Sequence, residues 1–510
     1  MTKISKTEST PKPVEQTEET TPTKATGLGF AQLPLSSAML ANLDRLNYTV
    51  MTPIQAASLP PALEGRDLIA QAKTGSGKTA AFAIPLLAKL DTSRFDVQAL
   101  VLCPTRELAD QVTQEIRRLA RAEDNIKILT LAGGVMMRGQ RTSLEHGAHI
   151  AVGTPGRIMD LLDRGNLNLE HVNTFVLDEA DRMLDMGFYD DIAYVAKRVP
   201  TQRQTLMFSA TYPEGIAKLA AQFLKNPQRI TVESQHDSGK IRQRFYEVAD
   251  SDRLHTVSHL LNHYRPVSTL AFCNTKQQCK ALVELLQAQG FSALALHGEL
   301  EQRDRDQVLV QFANRSCSVL VATDVAARGL DIAQLEAVIN VDVTPEPELH
   351  IHRIGRTGRG DNEGWALSLA SPKEMGRVSR IEDEQNRRME WLDVATLTSI
   401  SDEPLTPPMA TIQLQIERKE KIRAGDVLGA LTGEGGIDGK NVGKISISAF
   451  STYVAVKREV AKAALKHLAA IKIKGKTVRV RLLLSPHSSY IGKSTAPATS
   501  PALQMPLDRT

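Results

Sequence analysis

Two successive series of apolar, strand-length runs alternate with longer, helix-length stretches. This arrangement limits the chain more than any other feature. The first series occupies residues 67–72, 99–105, 149–155, 175–180 and 206–211, and the second 269–275, 293–298, 318–324, 337–342 and 365–371. Uninterrupted apolar runs suit strands buried on both faces, and a helix after each strand makes the sheet parallel. Two such series predict two α/β domains whose ligand loops lie at the C-terminal ends of the strands.

The remaining segments fall around these series. Residues 1–27 are Thr, Glu, Lys and Pro with almost nothing to bury and read as a disordered tail. The first domain spans 28–232, and the polar stretch ESQHDSGK at 233–240 reads as a linker. The second domain spans 241–390 and ends in a charged helical stretch, 373–390. A linker at 391–409, rich in Pro, Ser and Thr, leads to a small module at 410–484, and 485–510 reads as a flexible tail. The module reads as strand, helix, two strands, helix and strand, with strands at 412–416, 444–449, 452–457 and 477–484.

Charge is unevenly spread over these parts. Residues 410–484 carry 15 basic and 6 acidic residues, a net +9, which leaves −5 for the rest of a chain whose total is +4. A basic module on a mildly acidic body points to a nucleic-acid anchor; a solvated basic face or a protein-docking module is the bland alternative. Aromatics are only 4% of the chain, so backbone contacts are expected to outweigh base stacking. Phe450 and Tyr453 are the module's only aromatics, too few for a stacking platform.

No apolar run approaches the ~18–20 residues of a membrane span. The N-terminus lacks the apolar stretch of a secretory signal, and Glu8, Glu15, Glu18 and Glu19 argue against an organelle transit peptide. Cys103, Cys273, Cys279 and Cys317 have no metal spacing and read as reduced, mostly buried thiols. A cytoplasmic protein without membrane partners is expected.

Three motifs carry chemistry. Ala72-Lys73-Thr74-Gly75-Ser76-Gly77-Lys78-Thr79 lies between an apolar run and a helical stretch, the setting a phosphate loop needs. Its glycines let backbone N–H groups converge on an anion at a helix N-terminus. Lys78 can reach the β- and γ-phosphates, and Thr79 can sit on Mg²⁺. Asp178-Glu179-Ala180-Asp181 ends another run. Asp178 offers the cation a second support and Glu179 can polarise an attacking water. His352-Arg353-Ile354-Gly355-Arg356-Thr357-Gly358-Arg359 supplies guanidinium groups suited to charge developing on a transferred phosphoryl. The second series has no phosphate loop, so these arginines would act on a nucleotide held by the first domain, and catalysis would depend on closing the two.

With these motifs in order, residues 28–371 resemble the DEAD-box ATP-dependent RNA helicases. The resemblance implies two tandem RecA-like parallel-sheet domains and, with ATP and Mg²⁺ as cofactors, RNA-stimulated ATP hydrolysis coupled to duplex unwinding. It further implies that Phe30 stacks on adenine and Gln55, in Thr52-Pro53-Ile54-Gln55, reads it. Thr105 and Arg106 (in Pro104–Ala109), Gly134, Thr154, Gly156 and Arg157 would touch the RNA backbone. Ser209 and Thr211, in Ser209-Ala210-Thr211, would couple hydrolysis to strand separation. In the second domain Thr275, Arg305 and Thr323 would face RNA and Asp331 the ribose of ATP. Arg356 and Arg359 would be the arginine fingers, and His352 a linking residue. The same motifs serve equally an ATP-gated RNA clamp that does not unwind, or a DNA translocase.

Residues 410–484 read as an RRM-like α+β module, similar to the C-terminal domain of the DbpA subgroup of these helicases. That similarity implies a structured RNA partner, a hairpin of large-subunit (23S) rRNA near the peptidyl-transferase region, and hence work on large-subunit precursors in ribosome assembly. Lys421, Arg423, Lys474 and Lys476 are the cations expected to hold it.

Overall fold

A computed structural model of the chain describes residues 27–72, 75–212, 214–232, 240–327, 335–358, 363–401, 403–416, 422–448 and 451–483. The first domain forms one compact unit; the second domain and the C-terminal module together form another. None of the described helices is long and apolar enough to cross a membrane. The four cysteines are buried and free.

Among the described residues the first domain has seven strands: β1 (Leu68–Gln71), β2 (Ala99–Leu102), β3 (Ile128–Leu131), β4 (Ile150–Gly153), β5 (Thr174–Leu177), β6 (Gln204–Ser209) and β7 (Gln228–Thr231). All pairings are parallel, in the order β3-β4-β2-β5-β6-β1-β7. The central strands β2, β4, β5 and β6 are buried throughout, because helices cover both faces. Leu206, Phe208, Val101 and Val176 belong to one core layer; Met207, Leu100, Leu102, Phe175 and Leu177 belong to the other. Successive residues thus feed opposite cores, which is why these strands read as continuous apolar runs.

The second domain repeats the plan. Its strands are β8 (Ile241–Glu247), β9 (Thr269–Phe272), β10 (Ala293–Leu296), β11 (Val319–Ala322), β12 (Ala337–Asn340), β13 (Gly364–Ala370) and β14 (Trp391–Leu392). Their order, β10-β11-β9-β12-β13-β8-β14, is the same permutation seven strands on. Four strands, β3, β7, β8 and β14, extend the expected five per series. The strands β7 and β8 carry polar residues at several positions (Gln228, Arg229, Arg242, Gln243, Arg244), which breaks the apolar run by which a buried strand is recognised.

The C-terminal module is a four-stranded antiparallel sheet, β16-β17-β15-β20, with a separate hairpin β18–β19. The strands are β15 (Met409–Leu414), β16 (Val442–Ile447), β17 (Thr452–Lys457), β18 (Lys472–Ile473), β19 (Lys476–Thr477) and β20 (Val480–Leu483). The run expected as one strand at 477–484 is split. Thr477 pairs into the hairpin while Val480–Leu483 pairs with β15. One sheet face, through Ile412, Leu414, Val454 and Val456, packs with Val427, Leu431, Ala464 and Leu468 of the module's two helices. The other face carries Thr411, Gln413, Tyr453 and Ala455, all 0–1% exposed. It is covered by the second domain. The Thr411 hydroxyl meets Ser316 Oγ at 2.7 Å and accepts from Asn314 Nδ2 at 3.1 Å. Arg481 donates to Gln307 at 2.9 Å, and Met409 N to the Arg315 carbonyl at 3.3 Å.

Candidate functional site

In the first domain the expected nucleotide residues gather at the C-terminal ends of β1, β5 and β6. After β1 the chain turns through Gly75 and Gly77, both at positive φ (+84° and +90°), and enters the helix Lys78–Ala88. A Cβ on Gly77 would lie 2.5 Å from Gln55 Nε2, so only glycine fits that approach. Gln55 closes a capping box with Thr52 and donates to the Gly77 carbonyl at 3.1 Å, joining the expected adenine reader to the phosphate loop. Phe30 is 4% exposed and meets Tyr48 edge-on, with ring centroids 5.9 Å apart. Lys73 and Thr74 lie outside the described residues.

Lys78 Nζ and Asp178 Oδ1 are buried and have no hydrogen-bond partner among the described residues. Orphaned buried charges are costly, and their presence beside an anion-binding turn fits a triphosphate and a hard divalent cation. Burial pushes the Asp178 carboxyl up to about 7, against the pull of the Lys78 ammonium. Glu179 holds a left-handed backbone, φ +52°, and its carboxylate accepts from Arg182 at 2.8 Å. Such a conformation in a residue with a side chain costs about 1–3 kcal/mol and is found where geometry is functional.

Asp181, the last residue of the acidic motif, holds a neighbouring turn. Its Oδ2 accepts from Ala210 N at 3.0 Å, Thr211 N at 2.9 Å and Thr211 Oγ1 at 3.1 Å. Ser209 Oγ donates to the Thr211 carbonyl at 2.7 Å. Asp181 therefore fixes the Ser209–Thr211 turn beside Glu179. The partner is 30 residues away, so nothing in the local sequence announced it.

The RNA-facing candidates occupy the other half of the same edge, at the ends of β2, β3 and β4. Thr105 caps the helix Arg106–Leu119, accepting from Leu108 N at 3.3 Å. Arg106 pairs with Asp110 at 3.6 Å. Gly134 is exposed at φ +76°. Thr154 and the exposed Gly156 start the helix Pro155–Asp163. Arg157 donates to Gln140 at 2.8 Å and to the Val135 carbonyl at 3.4 Å, steadying the loop that carries Gly134. The strand order thus separates the two groups, with β3-β4-β2 on one side and β5-β6-β1 on the other.

In the second domain Thr275 follows β9, exposed, and caps the helix Lys276–Ala288. Thr323 follows β11, and its N–H reaches the Leu296 carbonyl of β10 at 3.4 Å. Arg305 donates to the Ala326 carbonyl at 2.7 Å, so it braces the Thr323 loop. Of the arginine cluster, Arg353 is consumed inside the domain. It is 1% exposed, pairs with Asp324 at 2.6 and 2.7 Å, and donates to the Asp342 carbonyl at 2.8 Å. Arg356 is buried at 5% exposure, three residues on from Arg353, and His352 is half-buried. Asp331 and Arg359 lie outside the described residues.

In the C-terminal module the docked sheet face is closed, which agrees with the expectation that stacking is minor there. Burial pushes the Tyr453 phenol up, with Asp306 and Arg303 of the second domain and Arg481 close by. The expected cations sit elsewhere. Arg423 starts the helix Ala424–Thr432, and its backbone N–H donates to Asp426 at 2.6 Å. Asp426 also pairs with Lys474 of the β18–β19 turn at 2.7 Å. The Arg423 backbone and the Lys474 ammonium thus meet on one carboxylate, with Lys476 exposed two residues further along the hairpin. Lys421 lies outside the described residues.

Comparison with known proteins agrees with this arrangement. The DEAD/DEAH box helicase family matches residues 52–219, the helicase conserved C-terminal domain 252–361, and the DbpA RNA binding domain 411–482. The chain is 52% identical over 449 residues to the ATP-dependent RNA helicase DbpA of Escherichia coli, covering 88% of this chain and 98% of that protein. It is 43% identical to the DEAD-box ATP-dependent RNA helicase CshA of Bacillus cereus, over 72% of this chain and 70% of the relative. Among solved structures, Saccharomyces cerevisiae Dbp5 bound to RNA and ADP BeF3 superposes with a TM-score of 0.67 at 28% identity, covering 72% of this chain and 96% of that one. The orphaned lysine and aspartate at the phosphate turn, the Asp181 tie and these matches together place the chain in the DEAD-box family of ATP-dependent RNA helicases, in the branch that carries a DbpA RNA-binding domain.

Proposed function

We propose that this helicase spends ATP to remodel short duplexes in large-subunit (23S) rRNA during ribosome assembly in the cytoplasm. The basic module would hold it at a hairpin near the peptidyl-transferase region. The observation that carries the catalytic part is the pair of buried, unpartnered groups Lys78 Nζ and Asp178 Oδ1 at the phosphate turn. Bound ATP with Mg²⁺ supplies the transferable phosphoryl group and the cation that neutralises it. Gln55 and Phe30 hold the base, residues 72–79 hold the phosphates, and Thr79 with Asp178 orient the cation, partly through water. Glu179 takes a proton from the attacking water, and Arg356 and Arg359 stabilise the developing charge. Asp331 contacts the ribose, and His352 is the linking residue of the arginine motif.

RNA lies along the β3-β4-β2 and β10-β11-β9 halves, against Thr105, Arg106, Gly134, Thr154, Gly156, Arg157, Thr275, Arg305 and Thr323. Lys421, Arg423, Lys474 and Lys476 grip the phosphates of a folded hairpin. This is favoured by the burial of the sheet face that an RRM-like module would otherwise offer to bases. Tethering raises the local concentration of the core at its target.

The test is ATP turnover with and without RNA. Addition of RNA is expected to raise turnover. Glu179→Gln is expected to lose about 10²–10⁴-fold in rate. Equal rates with and without RNA contradict the coupled reaction. The target is tested by competition between the 23S hairpin and a scrambled hairpin. Lys474→Ala with Lys476→Ala should erase the preference, and equal binding of the two hairpins by the unaltered protein refutes the rRNA assignment.

A further inference from the structure

Because the two sheets share one permutation, each loop of the first domain has a counterpart in the second. The helix after β1 begins with Lys78; the helix after β8, Arg253–Tyr264, begins with Arg253. Asp178 and Glu179 follow β5; Val341 and Asp342 follow β12. Ser209 ends β6; Ser371 follows β13. The second domain therefore has a cleft at the position of the nucleotide pocket, a cavity of about 370 Å³ lined by Arg253, Gln278, Asp342, Lys373 and Glu374 among others.

The two pockets differ in how their cation is satisfied. Lys78 Nζ has no partner among the described residues. Arg253 is saturated. Its Nη1 donates to the carbonyls of Val341 at 2.6 Å and Leu369 at 3.1 Å. Its Nη2 donates to Glu374 at 2.5 Å and Asp250 at 3.2 Å, and Asp342 Oδ1 lies 3.7 Å from Nη1. Carboxylates and carbonyls stand where phosphate oxygens would. With Lys373 on Asp250 and Arg377 on Glu374, three cations meet the three carboxylates, so the cluster's charges are matched from within and it serves architecture.

Its connections show which architecture. Asp342 Oδ2 accepts from Asn274 N at 2.8 Å, and Oδ1 accepts from Gln278 Nε2 at 3.0 Å. Asn274 and Thr275 form the exposed turn at the end of β9. The Asp342 carbonyl also accepts from Arg353, which reaches Asn274 Oδ1 at 3.4 Å and grips Asp324, next to Thr323. The Asp342 carboxylate thus holds the loop with Thr275 to Arg253 and Gln278, while its backbone carbonyl, through Arg353, joins the loop with Thr323 and the helix that leads to Arg356.

We propose that Arg253 and Asp342 are positioning residues for RNA engagement: their ion-pair cluster, built in the second domain's counterpart of the nucleotide pocket, holds the Asn274–Thr275 turn in the geometry that meets the RNA backbone. The proposal rests on reading Thr275 as an RNA contact. A positioning group acts through preorganisation, so its loss weakens RNA binding more than it slows hydrolysis at saturating RNA.

The experiment measures ATP turnover by the full-length protein at saturating ATP against increasing unstructured oligoadenylate RNA, which offers the basic module no hairpin. Asp342→Asn and Arg253→Gln are expected to raise the RNA concentration for half-maximal rate about tenfold, with the maximal rate changed less than threefold. Arg253→Lys keeps the charge and should recover part of the loss. Thr275→Val should raise half-saturation as well. Half-saturation within twofold of the unaltered protein in Asp342→Asn, while Thr275→Val weakens, overturns the proposal alone. No change in Thr275→Val overturns the reading of the turn as RNA-facing and the proposal with it. If Arg253→Gln fails to fold, Gln278→Ala, a half-buried helix position on the same carboxylate, should still raise half-saturation about threefold, and no change there overturns the proposal too.

Discussion

Asp181→Asn is the sharpest perturbation available in the first domain. The carboxylate accepts at least four hydrogen bonds: three on Oδ2 from Ala210 N, Thr211 N and Thr211 Oγ1, and one on Oδ1 from Arg182 N at 3.0 Å. An amide has one oxygen. If its NH₂ takes the Oδ2 place, it faces two backbone N–H donors; if it takes the Oδ1 place, it faces the Arg182 N–H. Asp181 is 4% exposed, so water does not repair either arrangement. Hydrogen bonds to a charged acceptor contribute about 1.5–3 kcal/mol each. Losing one or two, with partial relaxation, costs about 2–4 kcal/mol in the order of the Ser209–Thr211 turn. At 1.4 kcal/mol per factor of ten, the equilibrium constant for ordering the turn falls by more than tenfold. If that turn couples hydrolysis to strand separation, duplexes displaced per ATP consumed should drop at least tenfold. Strand displacement of a short labelled duplex and phosphate release are measured on the same sample. Thr211→Ala removes only the Oγ1 bond and should have the smaller effect, and the double variant should be less than additive because both changes act on one hydrogen-bond cluster. A folded Asp181→Asn protein with an unchanged ratio of displacement to hydrolysis refutes the reasoning.

Gly77→Ala forces a side chain into φ +90° and pushes Gln55 off the phosphate loop. Backbone strain and the lost bond together amount to about 2 kcal/mol, so nucleotide should bind about 30-fold more weakly in a fluorescence titration. His350 is buried against Phe245, neither ring nitrogen has a partner among the described residues, and burial, aided by Arg353, drops its pKa to about 3. Its neutral form is the folded one, so stability is full above the unfolded value near 6.5 and falls by about 1.4 kcal/mol per pH unit as pH drops from there towards 3. His350→Phe should remove that part of the slope, seen as a melting-temperature advantage over the unaltered protein that widens from pH 7 to pH 4.5; a constant difference contradicts it. Thr411→Val keeps the shape but strips the hydroxyl between Ser316 and Asn314. The orphaned groups cost about 1–3 kcal/mol. Hydrogen exchange at Gln413 and Tyr453 should then accelerate at least tenfold, while exchange in β5 stays unchanged.

The order of apolar runs, the glycines of the phosphate turn and the DEAD-type acidic string were legible because each is a local rule. A strand buried on both faces must be apolar, an anion-binding turn must have glycine where φ is positive, and a cation needs a carboxylate at a strand end. Those rules gave two parallel-sheet domains, the phosphate turn and the acidic string, whereas Phe30, Gln55, Asp331 and His352 came only through the family resemblance. The edge strand β7 escaped the rules because it is half solvated and keeps Gln228 and Arg229, and β14 because it is only the two residues Trp391–Leu392.

The tertiary structure alone decided matters that depend on partners far apart in the chain. Asp181 meets Thr211, Arg253 meets Asp342 and Glu374, and Arg353 is withdrawn from the arginine cluster into Asp324. One face of the basic module's sheet is spent on docking through Thr411. None of these has a sequence signature, because a buried charge is stable only where the fold brings its counterpart, and that meeting is set by packing rather than by neighbouring residues.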